Sequence, residues 1–166
     1  LLSAGYNRAE IEAARKAGVP ICNNGGANSV AVSEHAMLLM LAASRQLVRQ
    51  HANVAAGRWR GNDVPALHEL RNKTLGVIGL GSIGTKTARL GMAFGMNVIY
   101  YDIARLTESE EDSLGVRFRL FSEVIQESDI ISPHVPLNDK TRHMIGKTEF
   151  EAMKDSAILV NTSRGP

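Results

Sequence analysis

Thr74-Leu75-Gly76-Val77-Ile78-Gly79-Leu80-Gly81-Ser82-Ile83-Gly84 decides the fold of this chain, together with the Val98-Ile99-Tyr100-Tyr101-Asp102 that follows it. The stretch reads as a buried strand, a G-x-G-x-x-G turn, a helix and a second strand ending in a carboxylate. Each glycine has its own physical task. Gly79 permits the tight turn out of the strand, Gly81 lacks the Cβ that would hold the backbone away from a pyrophosphate, and Gly84 lets the helix lie close to the sheet. The helix's first amides, at Ser82 and Ile83, have no intrahelical acceptor and face incoming phosphate charge. Asp102 stands close to the spacing, ~20 residues on, at which an acid meets the ribose hydroxyls. A carboxylate there accepts from a free 2′-hydroxyl and repels a 2′-phosphate, so NAD is expected in preference to NADP. Arg105 lies shortly after it and would partly offset that repulsion. The competing reading of Asp102 is a strand-end acid that only caps or is solvated.

Downstream, strands are expected at 74–80, 97–102, 116–119, 129–135 and 157–162, and helices at about 83–94, 121–127 and 147–153. Such alternation implies parallel strands joined by right-handed crossovers. The apolar runs Val77-Ile78 and Ala157-Ile158-Leu159-Val160 suit strands covered on both faces. Pro133 removes one ladder donor, so pairing of the fourth strand should weaken or end there. The expected fold class is α/β, an incomplete Rossmann doubly wound parallel sheet.

Upstream, residues 1–5 read as the end of a strand, and Asn7–Ala17 as a helix stopped by Gly18. Val19-Pro20-Ile21-Cys22 reads as a short strand and Asn23–Asn28 as a Gly-rich turn. A long helix is expected from Ser29 to Gln50. Its part from Val30 to Ala43 is apolar nearly all round, which predicts a buried or interface helix. Asn53–Leu70 is irregular, and Trp59 within it reads as a packing anchor.

The composition is that of an ordinary globular chain, with 44% apolar and 22% charged residues and a net charge of +2 over 166 residues. Nothing in it calls for nucleic acid or membrane as a partner. The longest apolar run, Ala36–Ala43, is too short to span a bilayer. The single cysteine, Cys22, excludes an intrachain disulfide framework and suits a reducing, cytoplasmic setting; a buried, inert thiol is expected. No metal site is expected. The chain opens at Leu1 and stops directly after Asn161-Thr162-Ser163-Arg164-Gly165, with one mononucleotide-binding half and the opening of a second. A piece of a longer protein is therefore expected.

Five motifs together resemble the D-isomer-specific 2-hydroxyacid dehydrogenases. They are Ser3-Ala4-Gly5-Tyr6-Asn7, Asn28-Ser29-Val30-Ala31-Val32-Ser33-Glu34-His35, Gly79–Gly84 with Asp102, His134-Val135-Pro136-Leu137 with Thr141, and Asn161-Thr162-Ser163-Arg164-Gly165. Ser33, Asn7 and Pro133 depart from the usual pattern without upsetting it. The resemblance implies that residues 1–25 end the first segment of a flavodoxin-like substrate domain. It makes 26–73 a linking and dimerisation-type segment and 74–166 the NAD-binding domain, and it implies a homodimer.

By the same resemblance, the backbone at Ala4 and Gly5 would hold the substrate carboxylate, with Asn28 at the pocket entrance. Val32 and Thr162 would lie near the nicotinamide, and Val135 and Pro136 on the adenosine side, with Thr141 in the same motif. Arg164 would grip the carboxylate and 2-oxo group of a small 2-hydroxy or 2-oxo acid. A planar, permanently charged guanidinium suits both tasks. Without the resemblance, a structural ion pair explains Arg164 equally well.

The resemblance places a proton-donating histidine and its glutamate after the arginine motif. None of His35, His51, His68, His134 and His143 reads as a substitute, so the chain alone is expected to be inactive. The alternatives are a corepressor-like NAD(H)-binding module without turnover, or a formate- or phosphite-oxidising branch suggested by Asn28.

Overall fold

The computed structural model describes residue 5, residues 9–59 and residues 66–165. The elements run α1 (Ile11–Lys16), α2 (Ser29–Ser44), α3 (Leu47–Ala55), β1 (Thr74–Ile78), α4 (Ser82–Ala93), β2 (Asn97–Tyr101) and α5 (Glu108–Leu114). They continue with β3 (Val116–Phe118), α6 (Phe121–Glu127), β4 (Ile130–Pro133), α7 (Lys147–Ala152) and β5 (Ile158–Leu159). All the pairings are parallel and the strand order is β3-β2-β1-β4-β5. That order is the Rossmann arrangement, with the reversal of direction between β1 and β4.

Alternate side chains of β1 explain the two layers. Leu75 and Val77 face a core shared with Ala36 and Met40 of α2 and Ala88 of α4. Ile78 faces the other way, into a core with Ile99, Ile131 and Val124 and Ile125 of α6. Both faces of β1 are thus covered, as Val77-Ile78 predicted, whereas Ala157, Ile158 and Leu159 at the sheet edge are only half-buried. A Cβ on Gly76 would run into Ser128 and Val124, which shows how closely α6 lies on the sheet.

Pro133 ends the ladder as expected, and the hydrogen bonds show how. His134 N–H donates to Ile78 O at 2.7 Å and Val160 N–H to Ile131 O at 2.9 Å. Alternate β4 residues therefore face β1 and β5, and Pro133 falls on the β5 side. Its missing N–H would have met Val160 O. The Ser132 hydroxyl donates to that carbonyl instead, at 3.3 Å. This is why β5 is shorter than the strand expected over 157–162.

Several expectations need correction. The helix expected over 29–50 is two helices, broken at Arg45 and Gln46, where Gln46 takes a left-handed φ of 52°. α3 then runs into the stretch read as irregular. Helix α2, expected to be buried or at an interface, turns Ser33, Ala36, Met37 and Met40 to the core and leaves Val30 and Leu38 exposed. Residues 19–22 form no strand, and Cys22 is exposed rather than buried; Val19 N–H instead donates to Ala14 O of the preceding helix at 2.9 Å. Trp59 is exposed rather than a packing anchor. Helix α5 was not foreseen, although Thr107-x-x-Glu110 is a complete capping box. The strand expected at 1–5 lies outside the described residues except for Gly5, which is in no element.

Candidate functional site

The carboxyl ends of β1, β2, β4 and β5 converge where the strand order reverses, the place at which an open α/β sheet binds ligands. The glycine turn occupies its centre. Gly79 has a φ of +90°, and a Cβ on it would meet Val135 Cγ1 at 2.8 Å and His134 O at 3.0 Å. Gly84 sits directly against the Gly79 carbonyl, with no room for a Cβ between helix and turn. Gly81 differs from both. A Cβ there would meet nothing within 4 Å, so the side left bare of atoms opens outward. Gly81 caps α4, and among the described residues no side-chain cap bond closes that end of the helix. Ser82 is exposed and Ile83 half-buried on that first turn. Thr85 Oγ1 donates to Leu80 O at 3.0 Å and fixes the turn from below.

Asp102 is tied to the same turn. Its Oδ2 accepts from Leu80 N–H at 2.7 Å and its Oδ1 from Ala104 N–H at 3.0 Å. Each carboxylate oxygen keeps a further lone-pair direction. The acid therefore does brace the strand end, as the competing reading held, and it also stands beside the glycine cradle. Arg105, expected to offset part of its charge, gives its Nε to Glu111 Oε1 at 3.1 Å.

A cleft of about 250 Å³ lies alongside, lined in part by Val135, Pro136, Thr141, His143, Asn161 and Arg164. Thr141 Oγ1 donates to Pro136 O and accepts from Asn138 N–H, so this hydroxyl shapes the loop rather than the open space. Asn161 holds the last turn: its Oδ1 accepts from Ser163 N–H at 2.9 Å and Oγ at 2.7 Å, and its Nδ2 donates to Arg164 O at 2.7 Å. Arg164 is exposed and forms no ion pair among the described residues; its guanidinium donates to Ser163 O at 2.7 Å. The structural ion pair that competed for Arg164 is thus not found there. Thr162 Oγ1 is buried without a hydrogen-bond partner among the described residues.

On the upstream side, Asn28 is the exposed N-cap residue of α2 and Val32 is half-buried a turn further on. The turn before α2 lies over the start of α4, since a Cβ on Gly26 would meet Ser82 Oγ at 3.8 Å. Gly5 is half-buried, and Ala4 lies outside the described residues.

The sequence profile of the NAD-binding domain of D-isomer-specific 2-hydroxyacid dehydrogenases matches residues 37–166. The chain belongs to this family. It is 41% identical to a glyoxylate reductase from Aeropyrum pernix over 170 residues, covering 99% of this chain and 50% of that protein. It is 39% identical to a hydroxypyruvate reductase from Thermotoga maritima, covering 97% and 51%. A D-lactate dehydrogenase from Aquifex aeolicus, solved with NAD and lactic acid, superposes with a TM-score of 0.91 at 32% identity, covering 98% of this chain and 48% of that one. The chain spans about half the length of the curated relatives it matches.

The dehydrogenase domain fits NAD(H) on its own geometry. The bare face of Gly81, the uncapped first turn of α4 and the orphaned Thr162 hydroxyl all meet the demands of a dinucleotide. Sequence reasoning missed the roles of Asn161 and Ser132. The Asn-x-Ser order of a side-chain-capped turn signalled the first. For the second, a polar residue beside Pro133 was the available hint. The Ser132 hydroxyl also lies 3.0 Å from His134 Nε2, and burial holds that imidazole down to about pH 4, well below its ordinary 6.5.

Proposed function

We propose that the whole protein is an oxidoreductase that moves hydride between NAD(H) and C2 of a small 2-hydroxy or 2-oxo acid. The observation carrying this reading is the glycine cradle with Asp102 bonded into it at Leu80. When bound, the nicotinamide supplies the hydride. In this reading the α4 amides hold the pyrophosphate, Asp102 takes the ribose hydroxyls, and Val135 and Pro136 flank the adenosine. Thr162 and Val32 border the nicotinamide. Ala4 and Gly5, at the end of a substrate-domain segment (1–25), bind the substrate carboxylate with Asn28 nearby. Arg164 orients that carboxylate and polarises the 2-oxo group. None of the five histidines is assigned the proton transfer, so this chain by itself binds cofactor without turnover.

The preference for NAD over NADP belongs to the same proposal and is supported by the charge of Asp102. So does a two-fold homodimer through the segment 26–73, supported by the exposure of Val48 and Trp59; a monomeric mass by sedimentation would remove it. A cytoplasmic setting is proposed from the single cysteine. No described helix is long and apolar enough to cross a membrane.

Titration of NADH fluorescence tests the core of the reading. NADH should bind, and Asp102→Ala should weaken it about tenfold, in line with the loss of charge-assisted hydrogen bonds, while narrowing the gap to NADPH. Unchanged affinities for both would take Asp102 out of the ribose site. Tight NADH binding without turnover of any 2-oxo acid by the whole protein would favour the non-catalytic module.

A further inference from the structure

Glu111 is a buried carboxylate with no part in the site so far described, its side chain only 5% exposed on α5. Burying an acid is costly unless every lone pair is answered. Here the partners come from three elements. Oε1 accepts from Tyr100 Oη at 3.1 Å and from Arg105 Nε at 3.1 Å, and Oε2 accepts from Phe118 N–H at 3.4 Å. Tyr100 Oη in turn accepts from Leu106 N–H at 2.9 Å. The segment leaving Asp102 is therefore tethered at two consecutive residues. Burial opposes the Glu111 charge, but the hydrogen bonds from Arg105, Phe118 and Tyr100 outweigh it and keep its carboxyl below the usual value, ionised at neutral pH.

Arg105 is the basic residue nearest Asp102 in sequence. In Rossmann sites an arginine near the strand-end acid is what accommodates a 2′-phosphate. This one is occupied. Its Nε is given to Glu111 and its guanidinium carbon lies 5.0 Å from the centre of the Phe118 ring. A carboxylate about 3 Å from the guanidinium cancels most of its pull on an anion farther away. Among the described residues Asp102 has no such neutralising partner; its oxygens accept there from the backbone N–H groups of Leu80 and Ala104.

We infer that Glu111 is a positioning residue for cofactor choice: it holds Arg105 on β3 and so leaves the ribose side of Asp102 without a cation to receive a 2′-phosphate. The inference rests on the NAD-binding reading of the site. Exclusion of NADP then has two parts, the charge of Asp102 and the capture of the arginine that would counter it.

The test is the ratio of NADPH to NADH dissociation constants, from cofactor fluorescence, for the unaltered protein and for Glu111→Gln, Arg105→Ala and the double variant. Glu111→Gln keeps the shape and removes the charge, and should shift the ratio about fivefold towards NADPH, roughly 1 kcal/mol. Arg105→Ala alone should leave the ratio within about twofold, and the double variant should return to the unaltered ratio. A merely structural Glu111 would weaken both cofactors together, with no dependence on Arg105, and that result overturns the inference. If Glu111→Gln does not fold, Arg105→Ala still decides: a selective loss of NADPH affinity would mean the arginine already reaches the cofactor, and the inference fails. Failure of the unaltered protein to bind NADH would instead overturn the underlying reading of the site.

Discussion

Val77 and Val48 are the same side chain in two regions with opposite fates. Val77 is fully buried in β1, whereas Val48 on α3 is 82% exposed. The difference extends to their surroundings. Strands β1, β2 and β4 are sandwiched between α2 and α4 on one side and α6 on the other, while α1 and α3 bury no residue at all. An apolar residue becomes core only where a second layer covers it. The sheet supplies that layer for its own helices, and the preceding arm keeps apolar residues such as Val48 and Val54 uncovered among the described residues. Helix α2 belongs to both regions, with Met40 inside and Leu38 outside.

A one-carbon change gives the sharpest way to break this contrast. Gly84→Ala forces a methyl into the Gly79 carbonyl and should cost about 3 kcal/mol or more, as overpacking does where backbone cannot move. Urea unfolding followed by circular dichroism measures it. A cost under about 1 kcal/mol would show that α4 can lift off the turn.

His134 contributes the next largest effect. Its folded value of about 4 lies below the 6.5 of an open imidazole. Between those values the unfolded chain takes up a proton that the folded ring refuses, so stability is lost as pH falls through that window, by about 2–3 kcal/mol. Unfolding midpoints at neutral pH and near pH 4.5 should therefore differ less in His134→Gln than in the unaltered protein. Equal shifts would remove His134 from the acid response.

The smallest effect belongs to the arm. Gly57 has a φ of +70° and open space where a Cβ would stand. Gly57→Ala should cost only the backbone strain of a left-handed alanine, about 1 kcal/mol. A larger loss would reveal packing around Gly57 that its open surroundings do not suggest.

Much of the sheet was legible because its signals are local. Thr74–Gly84 states a strand, a turn and a helix in one run, and five strands were placed within a few residues of their positions. The errors fall where local pattern has no competitor to decide it. Val19–Cys22 has strand-like residues yet takes no strand, and Ser29–Gln50 has helical residues throughout but breaks at Gln46. At the site, the three glycines of the motif and Asp102 could be read from spacing alone. Ser132 and Glu111 were not, because each acts by reaching a neighbour that only folding brings near, whereas Asn161 works within its own turn and its Asn-x-Ser order was a local sign.

The sequence by itself determined the parallel α/β sheet, the dinucleotide turn and the family, since each is written in contiguous residues whose geometry is set by backbone sterics and periodicity. The tertiary structure alone decided which apolar residues are covered, that Ser132 stands in for the missing Pro133 donor, and that Arg105 is held by Glu111. Those outcomes depend on distances between residues from separate elements, and no local pattern encodes a distance across the fold.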